Sequence, residues 1–360
     1  MSLRERILDW VDESPVGRRD LGAFRILFSI ASILLVPDIL WVARMPDSAF
    51  HPRFGPLMLL PSAPPEAALL ALQVALAVAL ALLALGGPAT PAVSYAASAL
   101  LLTLYGLAYS FGQIDHSIVL AVAPALLAHS GWGRTVTPWP SSGPGAPGPA
   151  LRALAVAIGL GMAWAALNKV ASGWIGGSAT ALGYSLQSHV EPGDPLRSLA
   201  GIATGPLSWI GEGADLVVVV LELGALVTVL WWPAFRLTIA LLALFHLAVW
   251  IMLDISFAWN VVVYAAFVPW GRVLPTRALL ALDRMQGRRL PTAAAVGIGV
   301  LAAAASLVAS RVPAVEKVTS VVILVIGAAT AVALLASATL RRVSARRRAP
   351  RPRAPRSAPR

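Results

Sequence analysis

Long apolar stretches separated by short polar segments run through almost the whole chain. A helix needs about 20 apolar residues to cross the hydrocarbon core of a bilayer, and the pattern predicts ten spans. The fourth and eighth are the shortest of the ten. The sequence therefore predicts an all-α fold, a polytopic helical bundle in a membrane. The predicted spans cover residues 21–43, 66–86, 92–111, 115–130, 150–171, 213–231, 234–253, 256–270, 292–310 and 318–340.

Composition excludes a soluble domain and several kinds of chemistry. Hydrophobic residues make up 58% of the chain and charged residues 12%, which is too much apolar surface for a soluble core to absorb. The chain has no cysteine, so disulfides, cysteine-bound zinc and thiol catalysis are excluded. We find no H-E-x-x-H pair, Walker loop or G-x-S-x-G turn. No metal site is predicted.

The arginines predict the orientation of the bundle in the cell membrane. Cytoplasmic segments carry an excess of Lys and Arg, and arginine is concentrated in residues 1–20, 271–291 and 341–360. With ten spans, all three segments lie on the cytoplasmic side. Both termini are therefore predicted to be cytoplasmic, and the net charge of +11 comes mostly from these segments.

The two ends of the chain have simpler predictions. Residues 2–13 place Leu3, Ile7 and Trp10 on one helical face, which is typical either of an amphipathic interfacial helix or of a solvated lead-in. The Arg/Pro-rich tail, residues 341–360, is predicted to be disordered. We interpret it as a topology anchor in preference to a lipid-binding segment. Membrane lipids are the expected surroundings, and no nucleic-acid partner is predicted.

Polar side chains inside the predicted spans are the candidates for function, because a charge at the bilayer centre costs about 2.5 to 3.5 kcal/mol. Lys169 comes first, since it is one of only two lysines and ends a long apolar run. The predicted topology places most of these residues in the outer half of the bundle, where one shared cavity is the simplest arrangement. The others are Asp115, His116, Glu222, His246 and Asp254.

Four stretches carry a resemblance to a known family. They are LGAFRILFSIASILLVPDILWV, GQIDHSIVLAVAPALLAHSGWG, AWAALNKVASGWIGGSATALGYSLQSHV and ELGALVTVLWWPAFRLTIALLALFHLAVWIMLDISFAWN. In order and spacing they resemble the horizontally transferred transmembrane (HTTM) domain, the membrane domain of vitamin K-dependent gamma-carboxylase. The resemblance covers about residues 18–270. It implies an eight-helix core. Outside that core the sequence itself predicts a lead-in of residues 1–17, a basic loop at 271–291 and two further helices within 292–340.

The resemblance also implies roles for individual residues. Lys169, five residues before Trp174, resembles the lysine regarded as the base that deprotonates reduced vitamin K, and Asn168 stands where the vertebrate enzyme has another lysine. His116 resembles a polar partner in the quinol pocket, and His246 resembles a later family histidine. The implied function is a vitamin K- or menaquinol-dependent carboxylase-like enzyme with an outer-leaflet site. Its cofactor is a reduced quinone, and its protein or peptide acceptor is not identified.

Structural interpretations stand beside these roles. Lys169 either acts as the base or extends its ammonium into headgroup water beside Trp174. His116 either lines the pocket or caps a helix beside Asp115, and Glu222 and His246 are equally suited to hydrogen bonds between helices.

Three further expectations concern function and the surroundings of the site. The alternative function is a noncatalytic quinone- or lipid-binding scaffold or a transporter-like module. Arg25 is expected to extend to the cytoplasmic interface. The loop of residues 172–212 is either a lid over the site or an ordinary connector.

Overall fold

The computed structural model describes residues 2–36, 38–112, 117–139, 145–175 and 208–348, and its regular structure in these ranges is helical. Three short 3₁₀ turns, Leu40–Arg44, Asp47–Ala49 and Gly55–Leu59, connect α2 to α3. The helices are α1 (Leu3–Asp12), α2 (Arg18–Leu35), α3 (Glu66–Leu85), α4 (Thr90–Tyr109), α5 (Ile118–Leu127), α6 (Pro147–Ala171), α7 (Ser208–Thr228), α8 (Trp232–Leu253), α9 (Ala258–Tyr264), α10 (Trp270–Val273), α11 (Thr276–Met285), α12 (Thr292–Arg311) and α13 (Pro313–Arg348).

Seven apolar helices of the described residues are long enough to cross a membrane. They are α2 with the turn that follows it, α3, α4, α6, α8, α12 and α13. This result agrees with the predicted helical membrane bundle, whereas the count of ten spans stays a prediction. The orientation relative to the cytoplasm also stays a prediction.

The other three predicted spans differ from these seven for physical reasons. Helix α7 is 21 residues long but carries three acidic side chains, Glu212, Asp215 and Glu222. Helices α5 and α9, the latter extended by a 3₁₀ turn to Phe267, are short apolar helices of ten residues each. Ten helical residues rise about 15 Å, half of the roughly 30 Å hydrocarbon core.

Among the described residues, eight helices form a closed ring around two inner helices. The ring follows the contacts α3, α4, α5, α6, α7, α8, α13 and α12, which returns to α3. Inside it, α2 contacts α3, α9, α12 and α13, and α9 contacts α2, α5, α8 and α13. Successive long helices alternate in direction, so the bundle has a basic end, with Arg18, Arg19 and Arg134, and an opposite end that we call the Lys169 end.

The last two long helices are part of this ring. Gln73 of α3 donates a hydrogen bond from Nε2 to Oγ of Ser310 in α12 at 2.8 Å. Gly327 of α13 lies so close to Val261 of α9 that a Cβ there would collide with the valine side chain. The small residues of α12 and α13 therefore allow the close packing that such sequences favour in membranes.

The expectation that Arg25 extends to the cytoplasmic interface was wrong. The residue is fully buried inside the bundle. Its guanidinium donates hydrogen bonds to four carbonyl oxygens, those of Trp132, Ala84, Leu85 and Val136, at 2.7 to 3.5 Å. Two of these carbonyls belong to the end of α3, where helical carbonyls have no partner in their own helix. The arginine therefore supplies the donors that this helix end lacks.

Gly86, the residue that ends α3, leaves room for that arginine. Its φ of +75° lies in the left-handed region that glycine adopts easily, and a Cβ on it would collide with the Arg25 guanidinium. Both the backbone conformation and the close approach therefore require a glycine here.

The N-terminal helix α1 is docked onto the basic end of the bundle. The Arg152 guanidinium lies between two indole rings, 4.1 Å from the centroid of Trp10 and 3.7 Å from that of Trp232. It also donates to the carbonyl of Trp10 at 2.7 Å, and Trp10 donates from Nε1 to the carbonyl of Leu230. Helix α1 lies within residues 2–13, and Trp10 is a side chain that attaches it to the bundle.

The basic segments were predicted as a loop and a tail. Helix α11 lies within the predicted loop 271–291, and its Asp283 forms an ion pair with Arg19 of α2 at 2.7 Å. Helix α13 is described as far as Arg348, so the first residues of the predicted tail are helical. Residues 349–360 lie outside the described part of the chain.

Candidate functional site

Lys169 forms an ion pair with Glu222 across the contact between α6 and α7. Lys169 lies in the last turn of α6, and its side chain is 19% exposed, whereas that of Glu222 is 4% exposed. A carboxylate so deeply buried among apolar helices requires a charged or hydrogen-bonded partner. The ammonium of Lys169 is that partner.

Close helix packing places the two charges within reach. An ideal Cβ at Gly159 of α6 would lie 2.8 Å from Cα of Leu226 in α7, so these two residues are opposite each other. The two helices are antiparallel. One turn from this contact toward the Lys169 end, α7 carries Glu222 and α6 carries Met162, so these two turns face each other. Side chains of a helix point toward its N-terminus, so Lys169 extends down α6 to meet Glu222.

Trp174 lies beside the lysine. The Lys169 Nζ lies 5.2 Å from the centroid of the Trp174 ring, within the range of a cation–π contact. The backbone N–H of Trp174 donates to the carbonyl of Lys169 at 3.0 Å, which fixes the tryptophan just beyond the helix end. The sequence spacing of these two residues thus places them in contact.

A second polar group lies deeper, between α6, α8 and α9. His246 Nε2 is 3.1 Å from the Tyr264 hydroxyl, and this hydroxyl lies 3.9 Å from Sδ of Met162. The imidazole is stacked on Phe257, with ring centroids 4.6 Å apart. Both His246 and Tyr264 are buried, so the pair is shielded from solvent.

Met162 connects the two groups. It contacts Tyr264 and lies in the turn of α6 that Glu222 faces, so the ion pair and the His246–Tyr264 pair occupy neighbouring levels of the bundle. Asn260 lies one turn of α9 from Tyr264 and is buried. Among the described residues, neither its amide atoms nor Oε2 of Glu222 has a hydrogen-bond partner.

This arrangement can hold and move a proton. The ion pair has one partly exposed member, Lys169, and one buried member, Glu222, whose second oxygen is buried and has no hydrogen-bond partner among the described residues. A carboxylate that is charged beside an ammonium becomes neutral when it takes up a proton, which removes a buried negative charge. The pair is thus suited to receive a proton from a group that approaches past Trp174.

Two of the predicted residues lie elsewhere. Asn168 is on the outward face of α6, where its Nδ2 donates to the carbonyl of Trp164 in the preceding turn at 2.9 Å. Asp254 follows α8 and forms an exposed ion pair with Lys317 at 3.4 Å. Neither side chain contacts the Lys169–Glu222 pair within the described ranges.

The remaining predictions lie partly or wholly beyond the described residues. Asp115 and His116 fall in the gap at 113–116. Of the predicted loop 172–212, the structure describes only its two ends, up to residue 175 and from residue 208.

Met162, Asn260 and Tyr264 were missed at the sequence level. Asn260 and Tyr264 are four residues apart in the apolar segment AWNVVVY, a spacing that puts two polar side chains on one helical face. Met162 precedes Lys169 by two turns on the same face of α6. The first spacing was a usable signal, whereas a methionine in an apolar helix carries none.

Sequence and structure comparisons do not identify the chain. No protein-family model, no curated protein and no solved structure matches it.

Proposed function

We propose that this chain is an HTTM-type membrane protein that removes a proton from a reduced quinone of the vitamin K or menaquinone class. The observation that carries the proposal is the ion pair between the partly exposed Lys169 and the buried Glu222, whose second oxygen has no hydrogen-bond partner among the described residues. The resemblance of the surrounding sequence to gamma-carboxylase supplies the substrate class.

Lys169 and Glu222 have different roles in this proposal. The quinol hydroxyl would bind at Lys169, and Oε2 of Glu222 would accept the proton of that hydroxyl. The ammonium of Lys169 then compensates the negative charge that remains on the bound molecule, as preorganised cations do in other enzymes. The ion pair is neutral before this step and positive after it, so charge is balanced.

Surrounding groups orient the substrate and exclude water. The indole of Trp174 lies beside Lys169 and offers a flat apolar surface to an aromatic ring. The reduced quinone, when bound, would be the group that reacts with oxygen, as the resemblance implies. The acceptor of the later carboxylation is a protein or peptide that the sequence does not identify.

The test is oxygen-dependent conversion of reduced vitamin K or menaquinone to its epoxide by the purified protein in lipid nanodiscs. Wild type should form the epoxide, and both Lys169→Met and Glu222→Gln should lower the rate at least about a hundredfold, the usual contribution of a positioned acid or base. Lys317→Met is the matched control, because it removes the only other lysine from an exposed ion pair at the same end.

Two results would contradict the proposal. Epoxide formation by Lys169→Met at the wild-type rate removes the lysine from the chemistry. Absence of epoxide from wild type, with quinone still raising the melting temperature, supports a binding scaffold instead.

A noncatalytic quinone- or lipid-binding scaffold is the second candidate. It is favoured by the position of the ion pair between α6 and α7, one turn of α7 from the close contact of Gly159 with Leu226, where the pair would join the helices even without a substrate. This function predicts stabilisation by quinone or lipid in both wild type and Glu222→Gln, without consumption of oxygen.

A further inference from the structure

An apolar cavity of about 180 Å³ lies between α2, α8, α9 and α13, with Tyr264 in its lining. Leu27 and Ile326 line it and are themselves exposed, so the cavity opens on the outside of the bundle. A dry cavity of about 150 Å³ is large enough to bind benzene. This one therefore has room for a segment of hydrocarbon chain.

The lining changes from apolar to basic along the cavity. Ala243 and Ile323 belong to its apolar part, whereas Arg236, in the second turn of α8, lines it toward the basic end. Trp270 also lines that end, and exposed Arg272 follows it two residues later. An amphipathic ring and arginines beside an apolar cleft are the groups that hold a lipid headgroup at a membrane interface.

A second groove provides an internal comparison. It lies between α3 and α12 and is lined by Val74, Val78, Val296 and Ala303, among others, with no charged residue in its described lining. Both clefts are apolar and both face outward, but a charged residue, Arg236, belongs only to the described lining of the first. A comparison of lipid binding at the two clefts therefore distinguishes general contact with lipid chains from recognition of a charged headgroup.

We propose that the cavity between α2, α8, α9 and α13 binds one acyl chain of an anionic phospholipid, with the lipid phosphate on Arg236. The phosphate would lie at the basic end beside Trp270, and the chain would run along α13 toward Tyr264. The proposal is independent of the quinone chemistry, because none of its residues belongs to the Lys169–Glu222 pair. A neutral phospholipid lacks the net charge that Arg236 and Arg272 favour.

Small residues in the lining leave the space that forms the cleft. Gly327 lets α13 approach α9 at Val261, and Ala240 and Ala331 leave space on either side. A larger side chain at Ala331 would occupy the volume assigned to the acyl chain. The substitution Ala331→Phe should therefore exclude the chain without changing a charge.

The experiment is native mass spectrometry of the full chain released from nanodiscs that contain equal amounts of phosphatidylglycerol and phosphatidylcholine. Wild type should retain one phosphatidylglycerol in preference to phosphatidylcholine. Arg236→Gln should lower the retained fraction about tenfold, the effect of losing one charge-assisted hydrogen bond, and Arg236→Lys should keep most of it. Ala331→Phe should lose the lipid.

Control variants keep the result decisive. Ala303→Phe fills the uncharged groove between α3 and α12 and should leave phosphatidylglycerol retention unchanged. Elution as a single folded species by size exclusion is required of each variant, and Ala331→Leu replaces Ala331→Phe if the latter aggregates. Equal retention of both lipids by wild type, or full retention of phosphatidylglycerol by the filled variant, would overturn the proposal.

Discussion

Glu222 is buried more deeply than Lys169, its partner in the ion pair, with 4% of its side chain exposed against 19%. The two members of the pair are therefore not equivalent. An unpaired lysine at this position can turn its ammonium toward the surface beside Trp174, whereas an unpaired carboxylate in α7 stays in apolar surroundings.

The first prediction follows from this difference. Lys169→Met should destabilise the protein by about 3 to 5 kcal/mol, because it leaves a buried charge without compensation. Glu222→Gln should cost less, and the double variant should recover much of the loss. Thermal unfolding followed by tryptophan fluorescence measures all three, and equal losses in the two single variants would contradict the asymmetry.

Arg25 gives the second prediction. Arg25→Gln should cost about 3 kcal/mol, because it leaves buried carbonyls of α3 and of the segment before Val136 without a charged donor. Arg25→Lys should restore little, since one ammonium does not match the spread of four carbonyls. Arg44→Gln, which breaks an exposed ion pair with Glu66, is the control and should change the melting temperature little.

The third prediction concerns Gly86. Gly86→Ala should lower stability by at least about 1 kcal/mol, the cost of a backbone conformation that is nearly restricted to glycine, and more because of the collision with Arg25. Gly213→Ala in α7 is a matched control, since a Cβ there meets no atom and the helix favours alanine. An unchanged melting temperature in Gly86→Ala would show that the contact with Arg25 relaxes freely.

The fourth prediction tests the docking of α1. Trp10→Ala should release the N-terminal helix from the bundle, because the indole both covers Arg152 and donates to Leu230. Limited proteolysis should then cleave between α1 and α2 faster than in wild type. Ile7→Ala, in the same helix, removes a side chain that is 51% exposed and should leave cleavage unchanged.

The fifth prediction addresses the His246–Tyr264 pair. A double-mutant cycle with His246→Phe and Tyr264→Phe should give a coupling energy between about 0.6 and about 1.7 kcal/mol, the average and the maximum measured for hydrogen bonds between membrane helices. Unfolding free energies of the four proteins provide the cycle. Additive losses would mean that the two side chains contribute only by packing.

Sequence periodicity predicted most of the fold because long apolar runs leave few alternatives. The predicted span at 234–253 agrees with α8 within two residues, and that at 292–310 agrees with α12 within one. At α5 and α9 the predicted spans are longer than the described helices, since an apolar run does not distinguish a full span from a short helix followed by buried irregular chain. Their lengths depend on partners elsewhere in the bundle.

The candidate site was predicted in part. Lys169, Glu222 and Trp174 were chosen individually, and the structure brings them together. Which acidic residue pairs with Lys169 depends on the register of α6 and α7, and that register depends on Gly159. The expectation for Arg25 was wrong for a similar reason. Its partners are backbone carbonyls distant in sequence, and no pattern of side chains predicts them.

The two half-length helices have a consequence for how the chain enters a membrane. A segment that rises about 15 Å cannot be released into lipid as a separate span, because its remaining backbone would lack hydrogen-bond partners there. We therefore expect helix α5 to leave the insertion machinery together with α4, and α9 together with α8. On this expectation the chain inserts as hairpins at these two points, and the inner helix α9 is enclosed only after α13, the last helix of the ring, has been made.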